Sequence, residues 1–507
     1  MAVRRPAHES TIQRIGRLAS DAKASRPRLV TVLDAVAERW SYALVASTLV
    51  IAAVPPLLWQ APVGPSLYRS LAWLITASPC ALILSAPMVY VSGLSVAAAN
   101  GVLLRGGRTL DALAAVTGVA FDKTGTITTG SPTLRRVEVL GEPDSEEAVR
   151  QRGLLLASAL SRLSVHPVSR GLVAAAPPGK RAEVADFQMV TGAGVSGTLA
   201  LPGEQPVHAA LGRPVFVARQ LEQLSGGTVI AEAIRGAAQA HEDGGAHEDA
   251  GGAVAAFGTI TAGAVDGATH AHAWLFHFEH RLKSSAAEVL AKVSRSGPIY
   301  MLTGDRQASA LRVAEEIGKG GVTFTGVHAE LRPEGKLARV RELDTAMRER
   351  EAGSGSLLSG LLRALGVSTG GLAMVGDGVN DAPALAAATA GISLAAQAEG
   401  ALPTAIEGSD VLVLRRAGDP AGDNDLVRVQ WTFALARRAR CIMLQNVVLA
   451  LGSIGGVSAL TLCTAMPLWL SVLLHEGTTM LVGLNSLRLL SQLRWRSPGG
   501  PGSREHG

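Results

Sequence analysis

Apolar residues collect in two pairs of long stretches, one pair towards each end of the chain. The first pair covers residues 41–59 and 67–98, and the second covers residues 442–463 and 467–487. Each stretch reaches or approaches the roughly 20 residues that an apolar helix needs to cross a bilayer. Because the two members of each pair lie close together along the chain, the pattern predicts two helical hairpins in a membrane.

The segment between the hairpins, about residues 103–430, alternates short β-type runs with Ala- and Leu-rich helical patterns. The runs VAFDKTG, IYMLTGD and LAMVGDG each end in Gly and Asp. Strands that alternate with helices predict a parallel α/β sheet, whose chemistry lies at the carboxyl ends of the strands. A long segment with a different sequence pattern separates the first run from the second. This segment predicts an inserted domain.

Basic residues flank the hairpins on the side of this middle segment. Arg105 and Arg108 follow the first hairpin, and Arg437, Arg438 and Arg440 precede the second. Because cytoplasmic flanks carry an excess of Arg and Lys, we expect the middle segment to be cytoplasmic. The N-terminal stretch lacks the order of regions that marks a secretory signal, and the target membrane stays open.

Composition narrows the class of protein further. Hydrophobic residues make up 48% of the 507 residues and charged residues 18%, and the mean hydropathy is +0.26. These values exclude a disordered chain and disfavour a purely soluble enzyme. The net charge of +5 is dispersed and only 4% of residues are aromatic, so no nucleic-acid partner is expected. Three cysteines, Cys80, Cys441 and Cys463, are too few for a disulfide framework.

Asp122 opens the segment Asp-Lys-Thr-Gly-Thr directly after an apolar run. A carboxylate exposed at the end of a strand can attack a γ-phosphate and form an aspartyl phosphate. The alternative is an ordinary turn, since Asp, Thr and Gly are common turn residues.

Three further loops carry residues suited to phosphate chemistry. Asp377 and Asp381 lie four residues apart in Gly-Asp-Gly-Val-Asn-Asp-Ala-Pro, a spacing that suits Mg²⁺. Thr303 begins a Thr-Gly-Asp loop that offers a hydroxyl and backbone N–H groups, and Lys336 offers a point positive charge. Each of the last two signals is also compatible with a structural role.

The four motifs resemble those of the P-type ATPases and occur along the chain in that family's order: Asp-Lys-Thr-Gly-Thr, Thr-Gly-Asp, the segment of Lys336, and Gly-Asp-Gly-Val-Asn-Asp-Ala-Pro. The resemblance implies a haloacid-dehalogenase-like, Rossmann-type phosphorylation domain that uses ATP and Mg²⁺, with an inserted α+β nucleotide-binding domain and four transmembrane helices. It implies that Asp122 is phosphorylated, and that Asp122, Asp377 and the main chain of Thr124 hold Mg²⁺. The remaining catalytic residues that it implies are Lys123, Thr303, Gly304, Asp305, Lys336, Asn380 and Asp381.

The inserted segment carries a second level of resemblance. His166 with Pro167, and Gly192 with Gly194, are similar to the His-Pro and Gly-x-Gly elements of the nucleotide domain in heavy-metal members of the family. The resemblance implies that these residues line the ATP site. Alone, a His-Pro pair is more often a turn, and a lone Gly-x-Gly is weak evidence for nucleotide binding.

The apolar stretches hold the candidate cargo ligands. Pro79 stands beside Cys80 in Ser-Pro-Cys, and His475 and Glu476 lie within the last stretch. Proline frees backbone carbonyls, and ionisable groups inside a membrane are functional by default. Cys80 alone would be read as a small buried hydrophobe. Together the residues resemble the zinc, cobalt and cadmium subgroup, which includes chloroplast-envelope members, and imply a divalent heavy-metal cation as cargo.

No Thr-Gly-Glu loop of an actuator domain occurs in the sequence, so the resemblance covers residues 9–490 and only the second half of a family member. A separate chain is one expected source of the actuator. The expected domains are a linker helix (1–40), a hairpin (41–102), the phosphorylation domain (103–135 and 275–430), the nucleotide-binding domain (136–274), a second hairpin (431–490) and a disordered tail (491–507).

Two functions follow as hypotheses. The first is ATP-driven transport of divalent heavy-metal cations by a multi-pass membrane protein of an organelle or the plasma membrane, with ATP, the cation and membrane lipid as partners. The second is a phosphorylatable fragment that does not pump and acts as a metal-binding or regulatory subunit. A soluble phosphatase of the same fold is disfavoured by the two hairpins, although fold alone does not determine function.

Overall fold

The computed structural model describes residues 28–492 apart from fifteen short internal gaps. These gaps are 130–131, 141–146, 165, 178–181, 191, 225–226, 244–252, 263–268, 280, 354–359, 361–368, 378–380, 396–408, 416–421 and 465.

Helices and strands alternate through the middle of the chain, and long helices occupy its two ends. The helices are α1 (Arg28–Trp59), α2 (Val63–Thr76), α3 (Cys80–Ala99), α4 (Gly107–Ala115), α5 (Glu147–Ser161), α6 (Pro167–Ala175), α7 (Pro214–Glu222), α8 (Thr228–Asp243), α9 (Ala286–Ser294), α10 (Gln307–Gly318), α11 (Pro333–Gly353), α12 (Ala382–Ala387), α13 (Asp423–Cys463) and α14 (Leu468–Gln492). The strands are β1 (Val102–Leu104), β2 (Gly118–Asp122), β3 (Thr133–Leu140), β4 (Glu183–Val190), β5 (Gly194–Ala200), β6 (Val207–Gly212), β7 (Ala253–Ala262), β8 (Thr269–Glu279), β9 (Ile299–Leu302), β10 (Gly326–His328), β11 (Leu372–Gly376), β12 (Ala390–Ala395) and β13 (Val411–Leu414).

The first sheet is the parallel α/β sheet that the sequence predicts. Its strand order is β1-β13-β12-β11-β2-β9-β10, and every pair except β1 with β13 is parallel. Strands β2, β9 and β11 are buried along their whole length, as expected for a sheet covered on both faces. The carboxyl ends of β2, β9 and β11 therefore lie side by side, and they bring together motifs that are far apart in the chain.

The inserted segment folds on a second sheet, which is antiparallel and has the order β3-β8-β7-β6-β5-β4. Its outermost pairing joins Thr133 to Glu279, close to the bridge between Thr128 and Leu282. The expected domain limits at residues 135 and 275 therefore fall inside β3 and β8. The second sheet begins at Thr133, before residue 135, and ends at Glu279, after residue 275.

Three helical segments in the described residues are long and apolar enough to cross a membrane: Leu29–Trp59, Val63–Ala99 and Asp423–Cys463. The fourth expected span lies on α14, which does not reach the same apolarity. The expected limits at residues 40 and 430 fall inside α1 and α13, because both helices run without interruption from polar into apolar sequence. Residues 1–27 of the expected linker and 493–507 of the expected tail lie outside the described residues.

A polar contact fastens the membrane helices to the first sheet. The Tyr90 hydroxyl of α3 donates to Asp111 Oδ2 of α4 at 2.8 Å. Arg440 of α13 donates to the carbonyls of Asp111 (2.6 Å) and Ala114 (3.1 Å). Because α4 leads directly into β2, this contact ties two membrane helices to the strand that ends in Asp122.

A second buried contact holds the start of α13 against the sheet. Asp425 is fully buried and accepts from Arg415 Nε and Nη2, both at 3.3 Å, with Lys283 Nζ at 3.9 Å. Arg428, one turn further on, is also fully buried and donates to the carbonyl of Leu414 at the end of β13. These charges fix the N-terminal end of α13 to the edge of the sheet.

Burial raises the pKa of Asp111 to about 6, although the Tyr90 hydrogen bond and Arg440 lower it in part. The folded protein therefore binds this proton more tightly than the unfolded chain. We expect the free energy of unfolding to rise as pH falls from about 6 towards 4, by up to about 3 kcal/mol from this group.

Asp111→Asn removes the titrating group while keeping an oxygen that accepts from Tyr90. Thermal melts of both proteins across this pH range measure the difference. The variant should lack this part of the acid stabilisation, and equal pH slopes in the two proteins would contradict the assignment.

Candidate active site

Asp122 is the last residue of β2 and only 5% exposed. The next five residues, Lys123–Ile127, form a tight turn in which the backbone of Thr124 and Gly125 is not helical. Gly125 has a φ of +77° in this turn, a left-handed conformation that side chains disfavour. The glycine thus lets the chain fold back sharply behind the carboxylate, as a loop that presents a nucleophile requires.

Lys336 joins the Asp122 carboxylate to a second carboxylate. Its Nζ lies 2.6 Å from Asp122 Oδ1 and 2.8 Å from Asp381 Oδ1. Asp381 is 2% exposed and Lys336 8% exposed, so the three charges are almost completely shielded from solvent. Lys336 comes from the first turn of α11 and Asp381 from the N-cap of α12.

The charges around Asp122 act on it in opposite directions. Burial raises the pKa of Asp122, and so do the nearby carboxylates Asp381 and Asp377, whereas Lys336 lowers it. The net effect is a raised pKa. Burial lowers the pKa of Lys336, but Asp122 and Asp381 outweigh it and leave that pKa raised. The ammonium group is therefore charged, and the carboxylate pair depends on it.

Lys123 does not face the same space as Lys336. It is 1% exposed, its Nζ forms an ion pair with Asp305, and it donates to Ser309 Oγ at 2.8 Å. The Thr124 hydroxyl donates to the same Asp305 carboxylate at 3.0 Å. Asp305 thus fastens the loop after β2 to the loop after β9 through Lys123 and Thr124.

Thr303 and Gly304 occupy the loop after β9. Thr303 is 1% exposed, and its hydroxyl oxygen accepts from the Asp305 N–H at 3.1 Å. Its own N–H donates to the His328 carbonyl at 2.9 Å. A Cβ on Gly304 would lie 3.2 Å from the Leu331 carbonyl oxygen, so a side chain there would be tight.

Asp377 follows β11 directly and is partly buried. Its neighbour Gly376 has no room for a side chain, because a Cβ would lie 2.7 Å from Asp381 Oδ2. Asn380 lies outside the described residues. The structure therefore brings Asp122, Lys336, Asp381 and Asp377 to one edge of the sheet.

The nucleotide candidates each have a local structural role. His166 is exposed at the N-cap of α6, where its Nδ1 accepts from the Val168 N–H at 3.3 Å, and Pro167 is the first residue of that helix. Gly192 has a φ of +75° in the turn between β4 and β5. A Cβ on Gly194 would come within 2.4 Å of the Leu211 carbonyl oxygen, so the strands require glycine there.

The chain breaks its helix at the Ser-Pro-Cys segment. Helix α2 ends at Thr76, and α3 begins at Cys80. The carbonyl of Ala77 in the break accepts from Trp40 Nε1 of α1 at 2.8 Å, which satisfies one backbone carbonyl at the interruption of the helix. Cys80 is exposed, and its Sγ lies 3.1 Å from Ser78 Oγ.

His475 and Glu476 lie at mid-length of α14 and face different surroundings. His475 is 9% exposed, whereas Glu476 is exposed. Among the described residues, no group of three His, Cys, Asp or Glu side chains is placed to hold a metal ion. The structure therefore does not gather Cys80, His475 and Glu476 into one centre.

Ser309 is a site residue that sequence reasoning missed. It is 9% exposed in the first turn of α10 and accepts the hydrogen bond from Lys123. The sequence signal for Ser309 was Lys123, because a buried ammonium group needs a hydrogen-bond partner. Ser309 is the one hydroxyl residue in the first turn of the helix after Thr-Gly-Asp.

Comparison with known proteins identifies the sheet. The family model of haloacid dehalogenase-like hydrolases matches residues 116–389, which include Asp122, Lys336 and Asp381.

Curated relatives extend the likeness to the membrane helices. The chain is 33% identical to "Probable cadmium/zinc-transporting ATPase HMA1, chloroplastic" of Arabidopsis thaliana, over 96% of this chain and 56% of that protein. It is 31% identical to "Probable cobalt/nickel-exporting P-type ATPase" of Mycolicibacterium smegmatis, over 98% of this chain and 65% of that protein. The chain thus spans less than two thirds of the length of these relatives.

A solved structure shares the same architecture. A zinc-transporting PIB-type ATPase in its E2·Pi state aligns over 96% of this chain and 68% of its own, with a TM-score of 0.58 and 28% identity. The likeness covers both sheets and the helices on either side of them in sequence.

Gly376→Ala tests the packing around the paired carboxylates. The new Cβ would displace Asp381, which Lys336 holds in place, and we expect a loss of about 1–3 kcal/mol in the free energy of unfolding. Gly335→Ala is the matched control, because its Cβ would meet only Leu331 Cδ2 at 3.7 Å, an ordinary contact. Melting temperatures measure both; a Gly376 variant as stable as the control would contradict the close approach.

Proposed function

The chain belongs to the haloacid dehalogenase-like hydrolase family, and from this we propose that it forms an aspartyl phosphate at Asp122 and couples it to transport of divalent heavy-metal cations. One observation carries the proposal: a buried carboxylate at a strand end is bridged by Lys336 to Asp381, and that strand is fastened to helices able to cross a membrane.

In the proposed reaction, an oxygen of Asp122 attacks the terminal phosphorus of ATP. A bond forms between that oxygen and phosphorus, the bond to the bridging oxygen breaks, and ADP leaves. Lys336 is close enough to Asp122 to neutralise phosphoryl oxygens. Thr303 and Asn380 contribute hydrogen bonds to the same group, and Asp381 keeps Lys336 in place.

The donor set supports Mg²⁺ as the metal at this site. Asp377 and Asp381 lie close enough to Asp122 to raise its pKa, and carboxylate oxygens are the ligands that Mg²⁺ prefers. Asp122, Asp377 and the main-chain carbonyl of Thr124 would hold the ion. When bound, it would supply positive charge against the phosphoryl oxygens.

The second sheet is the proposed nucleotide-binding domain. Nε2 of His166 and the backbone of the turn around Gly192 and Gly194 are the groups that we assign to ATP. His166 has an exposed ring whose Nδ1 is already used by the cap of α6, which leaves Nε2 for a ligand.

The membrane helices are the proposed transport path, in a multi-pass protein embedded in lipid. Thiolate, imidazole and carboxylate suit zinc and similar borderline ions, and the named relatives transport cadmium, zinc, cobalt or nickel. Because Cys80 and Glu476 are both exposed among the described helices, we propose that they complete their ligand shell only in another conformation or with further helices. We assign the chain to an organelle or plasma membrane.

Asp122→Asn tests the nucleophile. An amide cannot form an acyl phosphate, so we expect complete loss of label from γ-³²P-ATP after acid quenching. Asp410→Asn is the control: it makes the same change at a carboxylate of the same sheet, whose oxygen accepts from the Gly391 N–H at 3.0 Å. Label that persists in Asp122→Asn, or that disappears equally from both variants, would refute the assignment.

Cys80→Ser tests the cargo site separately from the phosphorylation step. Loss of the thiolate should weaken binding of Zn²⁺ or Cd²⁺ about tenfold or more, whereas Cys441→Ser, in an exposed cysteine of α13 outside the Ser-Pro-Cys segment, should leave it unchanged. Equilibrium dialysis of the purified chain with each metal measures the affinities. Equal affinities in the two variants would remove Cys80 from the path.

A further inference from the structure

A small cavity lies at the opposite end of β2 from Asp122, where α9 and α13 meet the sheet. Its volume is about 90 Å³. One wall comes from Thr117 and Gly118 at the start of β2, and the others come from the ends of α9 and α13. Nothing proposed for catalysis or transport uses this cavity.

The cavity has both apolar and polar walls: Val116, Val119, Val293, Phe433 and Ala434 are apolar, and the remaining side chains are cationic or neutral polar groups. Lys292 and Arg437 provide two cations, and Ser296, Thr117 and Gln430 provide a hydroxyl, a second hydroxyl and an amide. No Asp or Glu is among the described residues that line it. This combination favours an anion with several oxygen acceptors, such as a phosphate ester.

The surrounding contacts leave donor capacity for such an anion. Arg437 Nη1 donates to Ser296 Oγ at 2.8 Å, and a guanidinium has four further N–H groups that can donate to an anion. Lys292 pairs with Glu288 on its own helix at 2.6 Å, and half of its side chain is in solvent. Glu288 is the carboxylate nearest to these groups in the described contacts, and it lies outside the cavity wall.

The position of Arg437 along α13 identifies the source of the anion. From Cys441 to Cys463 the helix carries no charged residue, so the apolar membrane segment begins at Cys441. Arg437 precedes it by four residues, or about 6 Å at the rise of a helix. The headgroup layer of a bilayer is about 5–8 Å thick on each side. The guanidinium of Arg437 therefore lies at the depth of lipid phosphates.

Neighbouring arginines on the same turns play different parts. Arg440 is occupied by the carbonyls of Asp111 and Ala114. Arg438 is exposed and does not line the cavity. Gln430, Phe433, Ala434 and Arg437 form the one face of α13 that does.

We propose that this cavity binds the phosphate of an anionic lipid headgroup from the leaflet next to the two sheets. Basic pockets beside membrane helices on the cytoplasmic side recognise such headgroups. A bound headgroup would contact α9, α13 and the start of β2. The lipid composition of the membrane would then influence the position of the strand that ends in Asp122.

The test is a titration of the full purified chain in neutral detergent with phosphatidylglycerol or phosphatidylcholine, with bound lipid counted by native mass spectrometry. We expect one phosphatidylglycerol to bind in preference to phosphatidylcholine. Arg437→Gln should weaken that binding about fivefold, the effect of one basic residue near a lipid surface. Lys292→Gln, on a different helix, should also weaken it.

Arg438→Gln is the matched control, with the same charge change one residue along the helix, and it should bind as tightly as the unaltered chain. If Arg437→Gln and Arg438→Gln weaken phosphatidylglycerol binding equally, the binding reflects only general attraction between basic residues and anions. That result would contradict a specific site in the cavity. Displacement of phosphatidylglycerol by inorganic phosphate would overturn the lipid as its source. Asp122→Asn should bind the lipid as tightly as the unaltered chain, because Asp122 does not line the cavity. Failure of the phosphorylation proposal can therefore be distinguished from failure of the lipid proposal.

Discussion

The structure depends on placing two carboxylates beside each other where water is almost absent. Burying an unpaired charge costs several kcal/mol even after the protein relaxes, and Asp122 has a second carboxylate, Asp381, as a close neighbour. Lys336 compensates both through contacts of 2.6 and 2.8 Å. The same shielding that makes the ammonium necessary also strengthens its attraction to any oxygen anion that replaces water there.

This constraint accounts for the arrangement of the loops around the site. Asp305 pairs with Lys123 and accepts from Thr124, so the lysine adjacent to Asp122 in sequence has its ion pair with a carboxylate of another loop. Gly376 leaves room for the Asp381 side chain. The residues nearest in sequence thus build the frame, while the charge that acts on Asp122 comes from a helix 214 residues away.

The membrane helices connect to this frame by short routes. Cys80 begins α3, and the chain runs from there through β1 and α4 to the strand that ends in Asp122. Tyr90, Asp111 and Arg440 join α3, α4 and α13. A displacement of the Asp122 strand would therefore act on two membrane helices at once, which is the mechanical requirement for coupling phosphorylation to transport.

Sequence patterns were sufficient for the fold because hydrophobic periodicity and Gly-Asp strand ends are local signals. They predicted the parallel sheet, the inserted domain and the meeting of Asp122 with Lys336 and Asp381. They did not predict the contacts of Lys123 with Asp305 and Ser309, because the direction of a side chain depends on partners that are distant in sequence. The expected limits at residues 135 and 275 fall within β3 and β8, because composition does not show where strand pairing begins.

The most direct test of the account is chemical trapping of the phosphorylated residue. The chain is incubated with Mg·ATP, quenched in acid and reduced with borohydride, which converts an aspartyl phosphate to homoserine. Sequencing by mass spectrometry then locates the homoserine. The account predicts homoserine at position 122 and at no other aspartate. Homoserine at another position, with Asp122 unmodified, would contradict it.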